Sequence, residues 1–143
     1  MNLIICIPTY NRNESLLNCL RSINNIIIYD KIKITALIVD NTKNNNSKNI
    51  INKNRQKFRF PIIHKNEKRR GIVFARNKCL HNLKKINPDF AAFVDDDCAV
   101  DKFWLKNIIQ TIFKTNADIV TGPQIYRKSN NSKKINLALF FEK

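Results

Sequence analysis

The sequence predicts one α/β domain built around a mostly parallel sheet whose strands are buried on both faces. Short apolar runs alternate with segments that have the apolar spacing of helices, which is typical of strand–helix units. The runs are almost continuously apolar, as in residues 3–7 (LIICI) and 90–94 (FAAFV), and this is expected of strands that helices cover on both sides. A length of 143 residues is enough for one domain with a substantial core.

The first predicted elements are delimited by turn and capping residues. Pro8 ends the first apolar run, and Asn13 with Glu14 supplies an N-cap and an acidic first turn for the first helix. The second run ends on Asp40, and the Asn-rich loop after it leads to a polar helix. In sequence order, the predicted strands cover residues 3–7, 33–40, 60–65, 90–94 and 118–126, and the first three helices cover residues 13–23, 47–57 and 72–85.

The third and fourth helices are predicted from apolar side chains at helical spacing. Asp101 is placed to cap the fourth helix. The third helix is predicted to turn inward Val73, Phe74, Cys79, Leu80 and Leu83, and the fourth Phe103, Trp104, Ile108, Ile109 and Ile112. We therefore expect helices on both faces of the sheet.

The composition is strongly basic. The chain has 26 Lys+Arg against 11 Asp+Glu, a net charge of +15, which suits nucleic acid, an anionic membrane surface or a phosphorylated small molecule. The four cysteines occur singly, so the sequence predicts neither a disulfide framework nor a metal cluster. It predicts no signal peptide and no membrane span. A cytoplasmic protein fits best, with membrane association through the basic surface.

Polar residues come directly after three of the predicted strands, as PTYNRN, DN and DDDC. Because the carboxyl ends of parallel strands share one edge, we expect these stretches to converge on one cleft. The acidic triplet is the sharpest signal: adjacent carboxylates repel one another, so a positive group is expected beside them. Asp95 and Asp97 suit a hard divalent ion such as Mg²⁺ or Mn²⁺. Phosphate oxygens of a substrate typically complete the coordination shell of such an ion. A solvated turn is the alternative.

Three further features leave alternatives open. The turn of Thr9, Tyr10 and Asn11 lacks the glycines of a dinucleotide fingerprint, and its polar and aromatic groups suit a nucleobase and ribose, or form an ordinary turn. The basic run over residues 65–71 would bring cations and a helix N-terminus toward a diphosphate, or is a solvated loop. For Asp40 the alternatives are contact with a ligand, a solvent-exposed place in a turn, or capping of the segment after the strand.

Five motifs taken together resemble a known family. IICIPTYNR, LIVDN, RRGIVFARN, AAFVDDDCAVDKFWL and IVTGP occur in that order, and the set is similar to the family 2 glycosyltransferases of the GT-A fold. The resemblance implies a GT-A, Rossmann-like α/β/α sandwich over residues 1–126 that binds a nucleoside-diphosphate sugar, with a UDP-sugar favoured, together with Mn²⁺ or Mg²⁺. It also implies inverting transfer to a glycan or lipid-linked acceptor, in cell-surface polysaccharide biosynthesis.

The resemblance implies roles for single residues. Asp95 and Asp97 would bind the metal, Asp97 with direct contact, and Asp96 would face the ribose. Asp40 would accept a hydrogen bond from the base. The residues that would border or close over the nucleotide are Pro8, Thr9, Tyr10, Asn11, Arg70, Gly71, Arg76 and Asn77.

The sequence departs from the family pattern at its end. Inverting members use a carboxylate of a second half to deprotonate the acceptor hydroxyl, and the only acid after Asp118 is Glu142. We expect residues 127–143 to be a basic loop and the start of a missing acceptor half, and we expect donor binding rather than turnover.

Other functional classes remain as alternatives at this point. One is a non-catalytic nucleotide-binding remnant. Another is a basic nucleic-acid-binding module, which is disfavoured because most aromatic residues fall on apolar faces or in strands. A third is a sugar nucleotidyltransferase, which would need a Gly-rich phosphate loop after the first strand.

Overall fold

Strands and helices alternate along the chain as far as β5 (Ile119–Thr121), as predicted, and three further strands follow in the described part of the chain. The protein is represented by a computed structural model that describes residues 1–28, 31–128, 132–135 and 139–142, with side chains described for residues 1–28 and 31–123. The strands are β1 (Asn2–Thr9), β2 (Lys33–Asp40), β3 (Ile62–Asn66), β4 (Phe90–Phe93), β5 (Ile119–Thr121), β6 (Gln124–Lys128), β7 (Ser132–Ile135) and β8 (Leu139–Glu142). The α-helices are α1 (Asn13–Asn24), α2 (Ser47–Asn54), α3 (Ile72–Ile86) and α4 (Trp104–Thr115). None of the helices in these ranges has the length and apolar character needed to cross a bilayer.

The central sheet has six strands in the order β3-β2-β1-β4-β8-β5. The strands β3, β2, β1 and β4 are parallel, whereas β8 runs antiparallel to both of its neighbours. The register pairs Asp40 of β2 with Thr9 of β1 and with Asn66 of β3. The ends of these three strands therefore lie side by side at one edge of the sheet, and the predicted fold class is confirmed.

Helices bury both faces of the sheet. Leu3 and Ile5 of β1 belong to a large apolar cluster with α1 and α4. Ile4 and Cys6 lie on the opposite face, in a smaller cluster that includes Cys79 of α3. Since successive side chains of a strand point to opposite faces, a strand covered on both sides must be apolar throughout, as LIICI is.

The predicted inward faces of the last two helices are partly wrong. Four of the residues expected to point inward are exposed: Val73, Phe74, Leu80 and Phe103. In α3 the side facing the sheet is the stripe of Ala75, Cys79 and Leu83, which are spaced by four and so share one side of the helix. Cys79 and Leu83 face the sheet as predicted, and Ala75 was not predicted there. The larger apolar residues at the start of the helix, Val73 and Phe74, stay exposed.

The predicted fifth strand, over residues 118–126, is two strands in two sheets. β5 joins the central sheet, whereas β6 begins at Gln124 and pairs with β7. Gly122 and Pro123 separate the two. Because proline has no backbone N–H to donate to a ladder, it interrupts a strand at this point.

The C-terminal strand β8 lies between β4 and β5 in the central sheet. Residues 139–142 thus contribute to the same sheet as β1, although the sequence predicts that residues 127–143 begin a separate acceptor half. The division of the chain at residue 126 stays a prediction.

Candidate functional site

The ends of β1, β2 and β4 are joined by short hydrogen bonds. The Thr9 hydroxyl at the end of β1 donates to Asp96 Oδ2 at 2.7 Å. The backbone N–H of Asn41, just after β2, donates to the Thr9 carbonyl at 2.9 Å. The three polar stretches that the sequence places after these strands therefore meet at one edge of the sheet, as the parallel arrangement requires.

The three adjacent aspartates differ in their exposure. The side chain of Asp96 is only 6% exposed, whereas those of Asp95 and Asp97 are each 45% exposed. This alternation leaves two carboxylates open to solvent, while the one between them is held inside. A spaced pair of accessible carboxylates at a strand end is the arrangement that the D-x-D hypothesis requires.

Two arginines supply the positive charge expected beside the acids. Arg12 Nη1 lies 2.8 Å from Asp97 Oδ2 and 3.3 Å from Asp96 Oδ1. Arg76 Nη2 lies 3.2 Å from Asp95 Oδ1. Arg76 belongs to the predicted site, but Arg12 is a site residue that the sequence reasoning missed. Its place directly after β1 is the signal that could have identified it, because that position lies at the same edge of the sheet as the acids.

Asp96 links the end of β4 to the turn after β1. Burial raises the pKa of Asp96 above its ordinary value, although hydrogen bonds from the Thr9 hydroxyl and the Tyr10 N–H and the charge of Arg12 act in the opposite direction. The Asp96 carboxylate thus accepts hydrogen bonds from the turn after β1. Its predicted contact with a ribose stays a prediction.

Asp40 is buried, and both of its carboxylate oxygens accept hydrogen bonds from the chain. Oδ1 accepts from Thr42 N at 2.9 Å, and Oδ2 accepts from Ser47 N and Ser47 Oγ, both at 2.7 Å. Burial raises the pKa of Asp40, but these hydrogen bonds outweigh it, so the pKa lies below its ordinary value. The carboxylate thus fixes the start of α2. Its predicted hydrogen bond to a base stays a prediction.

Asn41 holds the basic loop of residues 67–71 against β2. Its Nδ2 donates to the carbonyls of Glu67 at 2.9 Å and Arg69 at 2.6 Å, and its Oδ1 accepts from Gly71 N at 2.8 Å. Gly71 has a φ of 136°, which side chains disfavour. Asn41 is a second residue that the sequence reasoning missed, although it stands next to Asp40.

The basic loop carries two guanidinium groups over aromatic rings. The Arg70 guanidinium lies 5.4 Å from the ring centre of Tyr10, and that of Arg69 lies 4.7 Å from the ring centre of Phe74. Tyr10 is exposed in the turn after β1. The loop cations and an accessible aromatic face therefore lie next to each other, near the acids.

The remaining predicted site residues, Pro8, Asn11 and Asn77, do not contact the three aspartates in the hydrogen bonds of the described residues. Pro8 is buried within β1. Asn11 has a φ of 52°, and its Oδ1 accepts a hydrogen bond at 2.8 Å from Asn46 at the start of α2. Asn77 is exposed on α3 beside Arg76. Within the described ranges, no hydrogen bond connects Asn77 to the acids.

The donor set fits an ion that phosphate helps to bind. Among the described residues, no three His, Cys, Asp or Glu side chains form a group that could hold a metal without other ligands. Asp95 and Asp97 offer two accessible hard-oxygen donors, and Mg²⁺ is typically bound by one or two carboxylates plus substrate phosphates and water. The residues present therefore suit Mg²⁺ or Mn²⁺ rather than a closed zinc-type site.

We expect the Glu67–Arg69 pair to stabilise the fold in a pH-dependent way. The hydrogen bonds and charge of Arg69 lower the pKa of Glu67 from 4.5 to about 2. Since the folded-state pKa is depressed, the contribution of Glu67 to the free energy of unfolding is complete above pH 4.5 and is lost as the pH falls toward 2. Glu67→Gln should therefore be less stable than wild type near neutral pH, with a difference that shrinks in acid.

Denaturant unfolding at a series of pH values measures this difference. Arg69→Gln and the double variant complete a thermodynamic cycle, and the coupling between the two positions should disappear at the acid end. A coupling that does not change with pH would show that the ion pair is not its source.

Comparisons with known proteins extend over most of the chain. The sequence matches Glycosyl transferase family 2 over residues 4–141. It is 30% identical over 123 residues to the succinoglycan biosynthesis protein ExoM of Rhizobium meliloti (strain 1021), covering 86% of this chain and 38% of that protein. The chain thus spans little more than a third of this relative's length.

Solved structures share the fold. S. aureus TarS 1–349 in complex with UDP-GlcNAc superposes with a TM-score of 0.63 and 24% identity, covering 83% of this chain and 33% of that one. The mannosyltransferase PcManGT from Pyrobaculum calidifontis, in complex with GDP-Man and Mn²⁺, gives a TM-score of 0.71 and 14% identity, covering 98% of this chain and 44% of that one. The likeness confirms the predicted α/β/α sandwich. The match over residues 4–141 shows that this chain belongs to glycosyl transferase family 2.

Proposed function

We propose that this chain is the donor-binding part of a glycosyltransferase. It binds a nucleoside-diphosphate sugar together with Mn²⁺ or Mg²⁺, for inverting transfer of the sugar to an acceptor hydroxyl. The observation that carries the proposal is the pair of half-exposed carboxylates, Asp95 and Asp97, at the end of β4. They lie at the same edge as the turn after β1 and the basic loop.

The charges around this edge suit a diphosphate. Arg12 and Arg76 contact the acids, and Arg70 lies over the ring of Tyr10 in the turn after β1. Guanidinium groups bind phosphate oxygens in a bidentate manner. The N-terminus of α3 begins directly after Gly71, and helix N-termini favour anions. A dianionic diphosphate would therefore meet positive groups from two sides.

Different residues of the chain would contact different parts of the nucleoside-diphosphate sugar. Asp95 and Asp97 would hold the ion, which when bound neutralises the charge that develops on the diphosphate as the sugar leaves. Tyr10 offers its exposed ring to the base, beside the end of β2. Asn41 positions the basic loop through three hydrogen bonds. Among the described residues we assign none as the base that deprotonates the acceptor.

The comparisons support the donor class. Two solved proteins of this fold were captured with UDP-GlcNAc and with GDP-Man and Mn²⁺, and we extend that class to this chain, with a UDP-sugar as the first candidate. By its name, ExoM acts in succinoglycan biosynthesis. We accordingly propose a glycan or lipid-linked acceptor in polysaccharide biosynthesis, with the basic surface in peripheral contact with a membrane.

A panel of nucleotides tests the proposal. We expect UDP or GDP to bind in the presence of Mn²⁺, and UMP to bind at least about tenfold more weakly, because a monophosphate offers fewer oxygens to the ion and to the arginines. Isothermal titration calorimetry measures each affinity. Equal affinity for UMP and for both diphosphates would contradict the proposal, since the second phosphate would then contribute nothing to binding.

A further inference from the structure

We propose that Arg12 is a built-in counterion: it occupies the acidic site before a divalent ion binds, and it turns to the diphosphate once nucleotide and ion are bound. The inference rests on the proposed function for its second half. Its first half rests on contacts within the chain, where Arg12 Nη1 lies 2.8 Å from Asp97 Oδ2 and 3.3 Å from Asp96 Oδ1.

Arg12 and a divalent ion compete for the same carboxylate. Asp96 is buried and also accepts a hydrogen bond from Thr9 at 2.7 Å, so its side of the bridge is fixed. Asp97 is half exposed, and its shortest contact is with Arg12. A cation bound at Asp97 would lie close to the guanidinium, and like charges repel. Binding of the ion at Asp97 is therefore stronger when Arg12 leaves this carboxylate.

The side chain of Arg12 is free to leave because its backbone alone serves α1. The Arg12 carbonyl accepts the first hydrogen bond of the helix, from Leu16 N at 2.9 Å. Its side chain makes no capping hydrogen bond and is 55% exposed. Moving or truncating the guanidinium thus costs the helix little.

A diphosphate held at the acids gives the displaced guanidinium a new partner. Phosphate oxygens accept the parallel N–H groups of arginine better than a single carboxylate oxygen does. Arg12 should therefore weaken binding of the ion alone and strengthen binding of the nucleotide with its ion. A residue that only stabilised the fold through surface ion pairs would not have these two opposite effects.

Two titrations of Arg12→Ala separate the effects. With Mn²⁺ alone, followed by the electron paramagnetic resonance signal of free Mn²⁺, we expect affinity to rise about threefold or more, because the competing charge is gone. With UDP at saturating Mn²⁺, we expect affinity to fall about tenfold, because a charge-assisted contact is lost. Arg12→Lys keeps the charge but not the bidentate geometry, so it should bind Mn²⁺ as wild type does and recover UDP affinity only in part.

Arg21→Ala is the matched control. It also removes one arginine charge, but from the last turn of α1, where Arg21 donates a hydrogen bond to Asn18 at 2.8 Å, so both affinities should stay at wild-type values. Arg12→Gln keeps more of the side chain and replaces Arg12→Ala if the latter fails to fold.

The outcomes distinguish this inference from the proposed function. Unchanged or weaker Mn²⁺ binding by a folded Arg12→Ala or Arg12→Gln would overturn the competition. Tighter Mn²⁺ binding with unchanged UDP affinity would overturn the transfer of Arg12 to the diphosphate. If wild type binds Mn²⁺ but no nucleoside diphosphate, the proposed function fails, and tighter Mn²⁺ binding by the variant would still support competition at Asp97.

Discussion

Asp97→Ala is expected to abolish metal-dependent binding of a nucleoside diphosphate, with a loss of affinity of roughly 100-fold or more. The reason is the small number of ligands that the protein supplies. Asp95 and Asp97 are the two accessible carboxylates at the end of β4, and an ion that shares its shell with phosphate depends strongly on each protein ligand. Calorimetric titration with UDP at fixed Mn²⁺ measures the loss.

Asp118→Ala is the control for this variant, since Asp118 is an exposed aspartate between α4 and β5. It should bind UDP as wild type does. A folded Asp97→Ala protein that keeps wild-type affinity would remove Asp97 from the ion site, whatever the wild-type protein binds.

Asp40→Ala is expected to lower the free energy of unfolding by about 2–4 kcal/mol. Asp40 accepts hydrogen bonds from Thr42 N, Ser47 N and Ser47 Oγ, all at 2.9 Å or less. Removing the buried carboxylate leaves these donors without their acceptor at the start of α2, and an unsatisfied buried donor costs more than an average hydrogen bond contributes. Urea denaturation measures the change.

Asp101→Ala gives the comparison for Asp40. Asp101 is exposed, and its carboxylate accepts a hydrogen bond from Phe103 N at 2.8 Å before α4, so we expect a loss of about 1 kcal/mol or less. Asp40→Asn separates the effect of Asp40 on stability from its effect on nucleotide affinity. If it keeps wild-type stability but loses UDP affinity, the loss of affinity does not come from a loss of stability, and the predicted contact with a base is favoured.

The sequence was sufficient to predict the four parallel strands of the sheet and the edge at which the candidate site lies. Apolar runs such as LIICI are constrained by burial on both faces, and the ends of parallel strands must share an edge, so the convergence of the Thr9, Asp40 and Asp96 stretches is a consequence of topology. Where local pattern and tertiary contact disagree, prediction failed. α3 meets the sheet through Ala75, which was not predicted, beside the predicted Cys79, whereas the larger Val73, which hydropathy favoured, is exposed.

The contacts within the site could not be predicted in the same way. Arg12 and Asp97 are 85 residues apart in sequence, and the parallel pairing of β1 with β4 brings the segments that follow these two strands together. The hydrogen bonds that Asp40 accepts depend on the backbone path to Ser47. The anchoring by Asn41 depends on the backbone of the loop over residues 67–71. Residue type indicates that such groups bind something, but the partner is set by the fold.

The central claim is that the two accessible aspartates bind a nucleoside diphosphate through a divalent ion. Titration of the wild-type chain with UDP, once with saturating Mn²⁺ and once with excess chelator, tests it most directly. We predict clear binding with Mn²⁺ and an affinity at least about tenfold lower in chelator. Equal affinity in both conditions would contradict the claim, because binding would then not depend on the ion.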